Sequence, residues 1–242
     1  MISRVTAEDM SLFSKDLKEM YGYDTGSWTN FDGNTTVYRL LTRADWNIND
    51  RNKMMLRLNY TAYKDDNNLV GNALSINGNP VSRYSMSFRN STYQEESDVY
   101  SLTGEWHSYL RENIANQLLV SFTFNDCNNR KCKGDFPTVD IIKPDEGGAE
   151  WAFMNAGYEQ HAWNNGIKER VWAVTDNLSI QTGKHYITTG FSFELQDLSN
   201  NYMRYGAGYY RYASYEDFAN KAAPVAFALC YSLTGGKLAP AK

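Results

Sequence analysis

The stretch that decides the fold is TVYRLLTRADWNINDRNKMMLRLNYTAYK, residues 36 to 64. Apolar and polar side chains alternate along both of its halves, which are joined by the polar turn Asn49-Asp50-Arg51-Asn52. Because successive side chains of a strand point to opposite faces, this pattern predicts a β-hairpin with one apolar and one charged face. The apolar face carries Tyr38, Leu40, Thr42, Ala44, Trp46, Met54, Leu56, Leu58 and Tyr60. The charged face carries Arg39, Arg43, Asp45, Lys53 and Arg57.

The same alternation recurs in four later segments, at residues 100–107, 117–125, 171–180 and 186–195. Short turns follow the first, third and fifth strands, and long segments follow the second, fourth and sixth, so all tight turns lie at one end. Outer-membrane barrels have this layout, with short periplasmic turns and long extracellular loops. The pattern predicts an all-β fold: an antiparallel meander of hairpins, part of a large transmembrane outer-membrane β-barrel, with short loop helices.

Composition narrows the classes of function. The 242 residues include 24 basic and 28 acidic side chains, and the formal charge of −4 favours neither a nucleic-acid surface nor an acidic tail. No run of about 18 apolar residues is present, which excludes a spanning helix but not a barrel. The N-terminus lacks the apolar core of a secretion signal, so the chain is either cytosolic or a piece of a longer protein.

A helical pattern precedes the strands. We expect an amphipathic helix over residues 7–21, with Thr6 as N-cap and Gly22 as its end. Packing against its own loop is the expected role, and docking of a partner is the alternative. Apolar side chains recur there at helical spacing: Met10, Phe13, Leu17 and Met20.

The long segments have distinct compositions. Residues 65–98 are rich in Asn and Ser and are expected to form a long surface loop. The segment after residue 200 is rich in Tyr and Gly, which suggests an extended aromatic segment above the sheet. Ser214 and Asp217 have the spacing of a capping box for one helical turn.

In each strand the apolar side chains occupy alternate positions, which we call the apolar parity, and the positions between them form the polar parity. The apolar parity of the six strands is nearly free of charged residues, which favours lipid as its neighbour. A basic residue at the bilayer midplane costs a barrel roughly 2–4 kcal/mol. The apolar parity contains Asp176 as its one charge, if Lys168 and Arg170 are assigned to a loop boundary. Tyr38 and Trp46 lie about 26 Å apart along one strand, or about 20 Å along the normal at a tilt near 40°, close to the ~25 Å between aromatic girdles.

Several phrases, taken in order and with their spacing, resemble the barrel region of Oar-like TonB-dependent receptors, large outer-membrane proteins known in Bacteroidetes and myxobacteria. The resemblance runs from about residue 1 to the end of the chain. The phrases are RADWNIN at 43–49, LRLNY at 56–60, FPTVDI at 136–141, TDNLS at 175–179, GKHYITTG at 183–190 and YSL at 231–233.

The resemblance implies a receptor or transporter of the outer membrane that moves a nutrient, peptide or protein. Barrels of this class have about 22 strands around a plug and are energised by the TonB-ExbB-ExbD complex. Six to eight strands are recognisable here, and no plug, TonB box or signal is found, so a partial barrel is expected. We expect residues 1–34 to be an extracellular-loop segment with the short helix, and residues 35–242 to be the partial barrel. The implied partners are membrane lipid, the plug, and the TonB complex through the full-length chain.

Candidate site residues follow from the two strand faces and from the loops. We expect the polar parity to line the lumen, as an interstrand charge cluster that satisfies neighbouring barrel or plug groups or contacts substrate. The lumen-facing candidates are Arg39, Arg43, Asp45, Arg57, Glu105 and His107. The lipid-facing candidates are Tyr38, Leu40, Trp46, Leu56, Leu58, Tyr60, Leu102, Trp106, Val120, Phe122, Phe191 and Phe193. The loop aromatics that either stack on a ligand or pack internally are Trp151, Trp163, Tyr209 and Tyr210.

Little other chemistry is indicated. Glu105 with His107, and Glu159 with His161, are spaced so that either pair could contribute to a metal site. For Glu105 and His107, hydrogen bonding in the lumen is the expected role. A loop disulfide between Cys127 and Cys132 is an open alternative. No nucleophile elbow, phosphate loop or paired-carboxylate motif is present, so neither a catalytic site nor a cofactor is expected.

Two other interpretations remain open at this point. A soluble exported β-sandwich that binds carbohydrate through its aromatics would show the same alternation, because its apolar parity would face a core. The second interpretation is that the chain is a remnant without function.

Overall fold

The computed structural model describes residues 3–30, 32–67, 82–234 and 237–239. Its helices are α1 (Ala7–Tyr21) and α2 (Tyr215–Ala219), and a single 3-10 turn covers Arg89–Ser91. The strands, in chain order, are β1 (Thr35–Asn49), β2 (Asn52–Asn67), β3 (Met86–Ser87), β4 (Tyr93–Arg111), β5 (Ile114–Cys132), β6 (Thr138–Pro144), β7 (Glu150–Ala156), β8 (Gly166–Thr182), β9 (His185–Asn201), β10 (Tyr209–Tyr212), β11 (Ala226–Ala228), β12 (Ser232–Thr234) and β13 (Lys237–Ala239).

Six long strands form one antiparallel sheet in the order β1-β2-β4-β5-β8-β9. The predicted meander of hairpins is therefore confirmed. The strands run further than the alternating pattern indicated, because β8 begins at Gly166 and pairs with β9 along its whole length. Lys168 and Arg170 thus belong to a strand, and their assignment to a loop boundary was wrong.

The register aligns apolar side chains into rows across this sheet. One row consists of Leu58, Leu102, Phe122, Trp172 and Leu195, from β2 to β9. The ring centroids of Phe122 and Trp172 lie 4.3 Å apart. Cross-strand pairs of this kind contribute roughly 0.2–1 kcal/mol each, so the row fixes the register of five strands.

Asp176, the charge on the apolar parity, lies toward the tight-turn end of the sheet, with Leu178 and Ile180 beyond it on the same face. The pairing brings it level with Trp46 and Trp106. Asn116 Nδ2 donates to Asp176 Oδ1 over 2.8 Å. A carboxylate at the aromatic boundary and in a hydrogen bond costs far less than one at the midplane.

The tight turns are built by local polar contacts. Asn49 Oδ1 accepts hydrogen bonds from the backbone N–H of Arg51 at 3.0 Å and of Asn52 at 2.9 Å. The β8–β9 turn uses Gly183 at φ 56°, a left-handed conformation that glycine adopts without strain. The β4–β5 turn lies at the same end of the sheet, next to these two.

The long segments at the opposite end fold together into a second unit, which we call the cap (residues 3–30, 82–92, 133–165 and 202–231). Its sheet has the order β11-β10-β6-β7-β3, with parallel pairing of β10 to β6 and of β3 to β7. The hydrophobic core of the described residues lies within the cap. Its largest fully buried side chains include Phe13, Phe88, Phe218, Met10, Leu17, Ile141 and Met154.

Helix α1 spans the predicted residues. Thr6 Oγ1 accepts from the N–H of Asp9 at 3.1 Å, Asp9 Oδ2 accepts from the N–H of Thr6 at 2.9 Å, and Gly22 ends the helix at φ 70°. Phe13 is fully buried, with its ring centroid 5.1 Å from that of Phe218. The apolar face of α1 therefore packs inside the cap. Among the described residues, neither helix has the length and apolar character needed to cross a bilayer.

The predicted aromatic segment belongs to the cap, as do residues 82–92 of the predicted long loop. Tyr209 to Tyr212 form β10, and the helical turn predicted near Ser214 is α2, with Ser214 Oγ accepting from the N–H of Asp217 at 3.1 Å. Part of the long loop predicted between Asp65 and Asp98 lies outside the described residues. Its ends belong to β2 and β4.

The alternative of a loop disulfide between Cys127 and Cys132 is not supported, since both thiols are free. The two residues belong to β5 and not to a loop. Five residues of strand cover about 16 Å, whereas a disulfide needs Cα atoms about 4.4–6.8 Å apart.

Candidate functional site

The two faces of the six-stranded sheet differ in exposure in a way opposite to that of a soluble protein. We call the apolar parity the outer face and the polar parity the inner face. On the outer face Leu102 is 44% and Val120 is 40% exposed, whereas on the inner face Met55 is 7% and Thr103 is 5% exposed. No outer-face side chain belongs to the hydrophobic core. The large apolar side chains thus point away from the rest of the described chain, as lipid contacts do.

All twelve lipid-facing candidates share the outer face, as the strand pairing shows. The most exposed are Tyr38 at 68% and Trp46 at 63%, both on the edge strand β1. The rings of Tyr60 and Tyr100 stack with centroids 4.7 Å apart at the end nearer the cap. Trp46 and Trp106 mark the end nearer the turns. Aromatic side chains thus border the apolar rows on both sides, which is the arrangement of an aromatic girdle.

The inner face gathers five of the six lumen-facing candidates into three adjacent rows. Arg43 lies directly opposite Arg57 in the register. The Arg43 guanidinium binds Asp45 at both oxygens, with Nε–Oδ2 2.8 Å and Nη2–Oδ1 2.7 Å. This bidentate pair offsets the positive charge of Arg43 where it faces Arg57. Arg39 lies opposite Thr61, two rows nearer the cap.

The acidic end of this cluster is centred on Glu105. Its Oε1 lies 2.6 Å from His107 Nε2 and also accepts from Gln117 Nε2. Gln117 was not singled out from the sequence, because its role depends on the pairing of β5 with β4. The Glu105–His107 contact accounts for this pair without a metal. Among the described residues, no group of three or more His, Cys, Asp or Glu side chains is arranged to hold a metal ion.

Towards the cap the inner face stays polar. Arg130 Nε lies 3.5 Å from Glu95 Oε2, and Asn125 Nδ2 donates to Glu169 Oε2 over 2.6 Å. The backbone N–H of Arg130 donates to the carbonyl of Asn165 at 3.1 Å, which ties the strand end to the cap. These side chains extend the polar face from the charge cluster up to the underside of the cap.

Inside the cap, a buried polar cluster surrounds Asp140, which is 3% exposed. Tyr209 Oη donates to Asp140 Oδ2 over 2.6 Å, Asn155 Nδ2 donates to Oδ1, and Arg211 Nη2 lies 3.9 Å from Oδ2. Burial raises the pKa of Asp140, against the pull of these three donors. Burial also raises the pKa of Tyr209, so its phenol remains a donor. With both of its oxygens hydrogen-bonded, Asp140 on β6 is joined to Asn155 on β7 and to Tyr209 on β10.

The four loop aromatics differ in how accessible they are to a ligand. Tyr209 is 5% exposed and belongs to the buried cluster, so it is not available for stacking on a ligand. Trp163 packs edge-on against Tyr158, and Tyr210 packs against Phe227 with centroids 5.0 Å apart. Trp151 stacks on Tyr84 at 4.5 Å and remains half-buried at the cap surface. Of the four, Trp151 lies beside an open cleft.

That cleft has a volume of about 580 Å³ and is lined by the N-terminal segment and the β6–β7 hairpin. Its walls carry both signs of charge, from Arg4 and Arg83 on one side and Asp145 and Glu146 on the other. The Arg4 guanidinium donates to the carbonyls of Lys143 at 2.6 Å and Pro144 at 2.9 Å. The hydrogen bond from Trp151 Nε1 holds the pKa of Asp145 below its usual range, so the carboxylate is ionised.

Comparison with known proteins gives a family and one structural match. A family described as "Outer membrane beta barrel domain" matches residues 13–235. The solved structure of the outer membrane transporter YddB from Escherichia coli aligns with a TM-score of 0.44 and 13% identity, over 75% of this chain and 21% of that chain. The chain thus spans about a fifth of the transporter's length, and a score of this size carries no argument about function. No characterised protein matches the sequence.

Proposed function

Because this chain belongs to the outer membrane beta barrel domain family, we propose that it is the barrel portion of a TonB-dependent receptor that moves a nutrient, peptide or protein across the outer membrane. The chain lies in the outer membrane, and its outer face meets membrane lipid. The proposal has three parts: the protein depends on TonB, it moves a substrate of the class named above, and a plug lies elsewhere in the full-length protein.

The observation that carries the proposal is the exposure of the two faces. A polar inner face with Arg43, Arg57 and Glu105 lies back to back with an outer face of exposed Leu, Val, Phe and Trp. Arginine and glutamate side chains need polar partners or water, and a water-filled or plugged lumen supplies them. The charge cluster lies where such a lumen would carry a polar substrate or the polar surface of a plug.

The unpaired edges of the sheet are evidence that it forms part of a larger barrel. Within the described residues, β1 and β9 each have one neighbour, and their outer edges are unpaired along 15 and 17 residues. Unpaired backbone N–H and C=O groups cost several kcal/mol each in a bilayer. We propose that further strands of the full-length protein pair with both edges and close the barrel.

The competing interpretation, a soluble exported sandwich, is wrong, because the family is an outer-membrane one and the apolar parity faces away from the core. The proposal includes that the protein transports its substrate and catalyses no reaction. The cap cleft beside Trp151 and the inner-face cluster are then the two surfaces that a substrate would meet on its way in.

Energy-dependent uptake tests this proposal. The host strain is grown with the gene intact or deleted, and uptake of labelled peptides and nutrients is compared with and without TonB. We expect a substrate whose uptake needs both the gene and TonB. Arg43→Gln should weaken this uptake, and Lys184→Gln in the β8–β9 turn is the matched control. Uptake that needs the gene but persists without TonB would refute the proposal.

A further inference from the structure

The last segment of the cap repeats the alternation of the long strands. Large apolar residues take turns there with small ones, in the order Val225, Ala226, Phe227, Ala228, Leu229, Cys230 and Tyr231. The large side chains are each between 46% and 59% exposed. A surface that meets water rarely carries such a row of exposed apolar side chains, whereas a barrel strand against lipid requires one.

This segment is held in the cap by few contacts. Residues 226–228 form β11, at the edge of the cap sheet, and pair with β10 over three residues. The N–H of Val225 donates to the carbonyl of Arg211 at 2.8 Å, and the ring of Phe227 packs against Tyr210. None of residues 219–231 is buried. The segment can therefore leave the cap without opening its hydrophobic core.

The long sheet has a longer partner for this segment, which is the unpaired edge of β9. Strand β9 runs from the tight turns to the cap, so a chain that leaves the cap at Val225 runs antiparallel to it. The chain reverses beyond Thr234, because β12 pairs antiparallel with β13 and places Thr234 opposite Lys237. Residues 225–234 thus precede the reversal, and about 9–11 residues are what a membrane-spanning barrel strand needs.

Both ends of the segment fit the same register against β9. If Val225 lies opposite Leu195, it extends the apolar row that crosses the sheet from β2 to β9. In that register Phe227 faces Phe193, so the apolar residues of the segment continue the outer face. The reversal beyond Thr234 then lies level with the β8–β9 turn.

We propose that residues 225–234 form the seventh strand of the barrel and pair with the edge of β9, with Ala228 opposite Ser192. This inference rests on the proposed barrel and identifies the neighbour of β9 within this chain. Short turns follow the first, third and fifth strands, and the reversal after Thr234 is the short turn that a seventh strand requires. Strand β11 leaves β10 as the segment enters the bilayer, where unpaired backbone groups are costly and the longer pairing with β9 satisfies more of them.

Disulfide formation in the outer membrane tests this proposal. The full-length protein carries Cys230→Ser and one pair of added cysteines, and the disulfide is measured on non-reducing gels of the outer-membrane fraction. Ser192→Cys/Ala228→Cys joins positions that face each other in the proposed register. We expect at least about tenfold more disulfide from it than from Thr188→Cys/Ala228→Cys, whose positions are offset by about 13 Å of strand, because a disulfide needs Cα atoms about 4.4–6.8 Å apart.

A third pair reports the arrangement in the cap. Tyr210→Cys/Phe227→Cys joins positions that lie opposite each other in β10 and β11. We expect little disulfide from this pair in the outer membrane. A disulfide here, with none from Ser192→Cys/Ala228→Cys, would overturn the proposal.

Labelling of a single cysteine is a second measurement that needs no close pair. In the Cys230→Ser protein, Phe227→Cys should react about tenfold more slowly with a charged maleimide than Leu12→Cys, because lipid shields a residue of the outer face. Leu12 is the control because its side chain is 44% exposed on α1 of the cap. Equal labelling rates would rule out the seventh strand. Neither measurement involves TonB or a substrate, so the result is separate from that of the uptake experiment.

Discussion

Leu102 allows the sharpest test of which solvent meets the outer face. The side chain is 44% exposed in the middle of the apolar rows. If that face met water, Leu102→Arg would change the free energy of unfolding by less than about 0.5 kcal/mol, as exposed substitutions do. Against lipid, an arginine near the midplane should cost about 2–4 kcal/mol. This corresponds to a ratio of folded to unfolded protein that is about 30- to 1,000-fold lower.

The assay is equilibrium unfolding of the full chain in lipid vesicles, followed by tryptophan fluorescence against denaturant concentration. Ser101→Arg is the matched control, because Ser101 is the next residue along β4 and points to the inner face. We expect this control to change the unfolding free energy by less than about 0.5 kcal/mol. Equal losses in the two variants, or no loss from Leu102→Arg, would show that the outer face does not meet lipid.

The cap offers three further tests. Phe13→Ala removes a fully buried ring and should cost the cap about 3–5 kcal/mol, seen as faster hydrogen exchange in α1 with the long strands unchanged. Gly157→Ala should lower the free energy of unfolding in a melting assay by more than about 1 kcal/mol, because Gly157 has φ 91° and a Cβ there would lie 1.9 Å from the Pro137 carbonyl oxygen. Gly104→Ala is its control and should be neutral in that assay, because a Cβ at Gly104 would meet open space. Because burial raises the pKa of Asp140, its contribution to stability is fully present below the unfolded pKa of about 3.9 and is lost as the pH rises through the folded pKa. Asp140→Asn should remove that loss, and a melting series in which both proteins lose stability equally between pH 4 and pH 8 would contradict this.

The parts of the fold that the sequence predicts are those set by local rules. The two faces of β1 and β2 follow from a period of two, and the tight turn at Asn49 to Asn52 follows from its polar side chains. Helix α1 could be predicted because Thr6 and Gly22 are local cap signals that nothing in the tertiary structure overrides. Asp9, which completes the capping box, was not singled out from the sequence.

The cap could not be predicted, because its contacts join segments that are far apart in sequence. Arg4 donates to Tyr84 and Pro144, and β10 pairs in parallel with β6, with no periodic signal in either segment. The stack of Tyr23 on Phe136, with centroids 4.4 Å apart, is of the same kind.

In the candidate site, too, the features set by local sequence could be predicted and those set by long-range contacts could not. The charges Arg43, Asp45 and Arg57 share a face by parity alone. The contact of Gln117 with Glu105 needs the register between β4 and β5, which no single strand specifies. The error at Cys127 and Cys132 came from assigning a polar stretch to a loop, although β5 extends beyond its apolar part to Cys132.

The cap has a consequence for the order in which the molecule forms. Its core needs both ends of the chain, since Tyr215 of α2 donates to Asp16 of α1 across a separation of 199 residues. Each long strand, by contrast, pairs with strands adjacent to it along the meander, so hairpins can be added one at a time. The core of the cap is therefore completed by residues that follow β9 in the sequence, whereas the long sheet can be assembled from neighbouring hairpins.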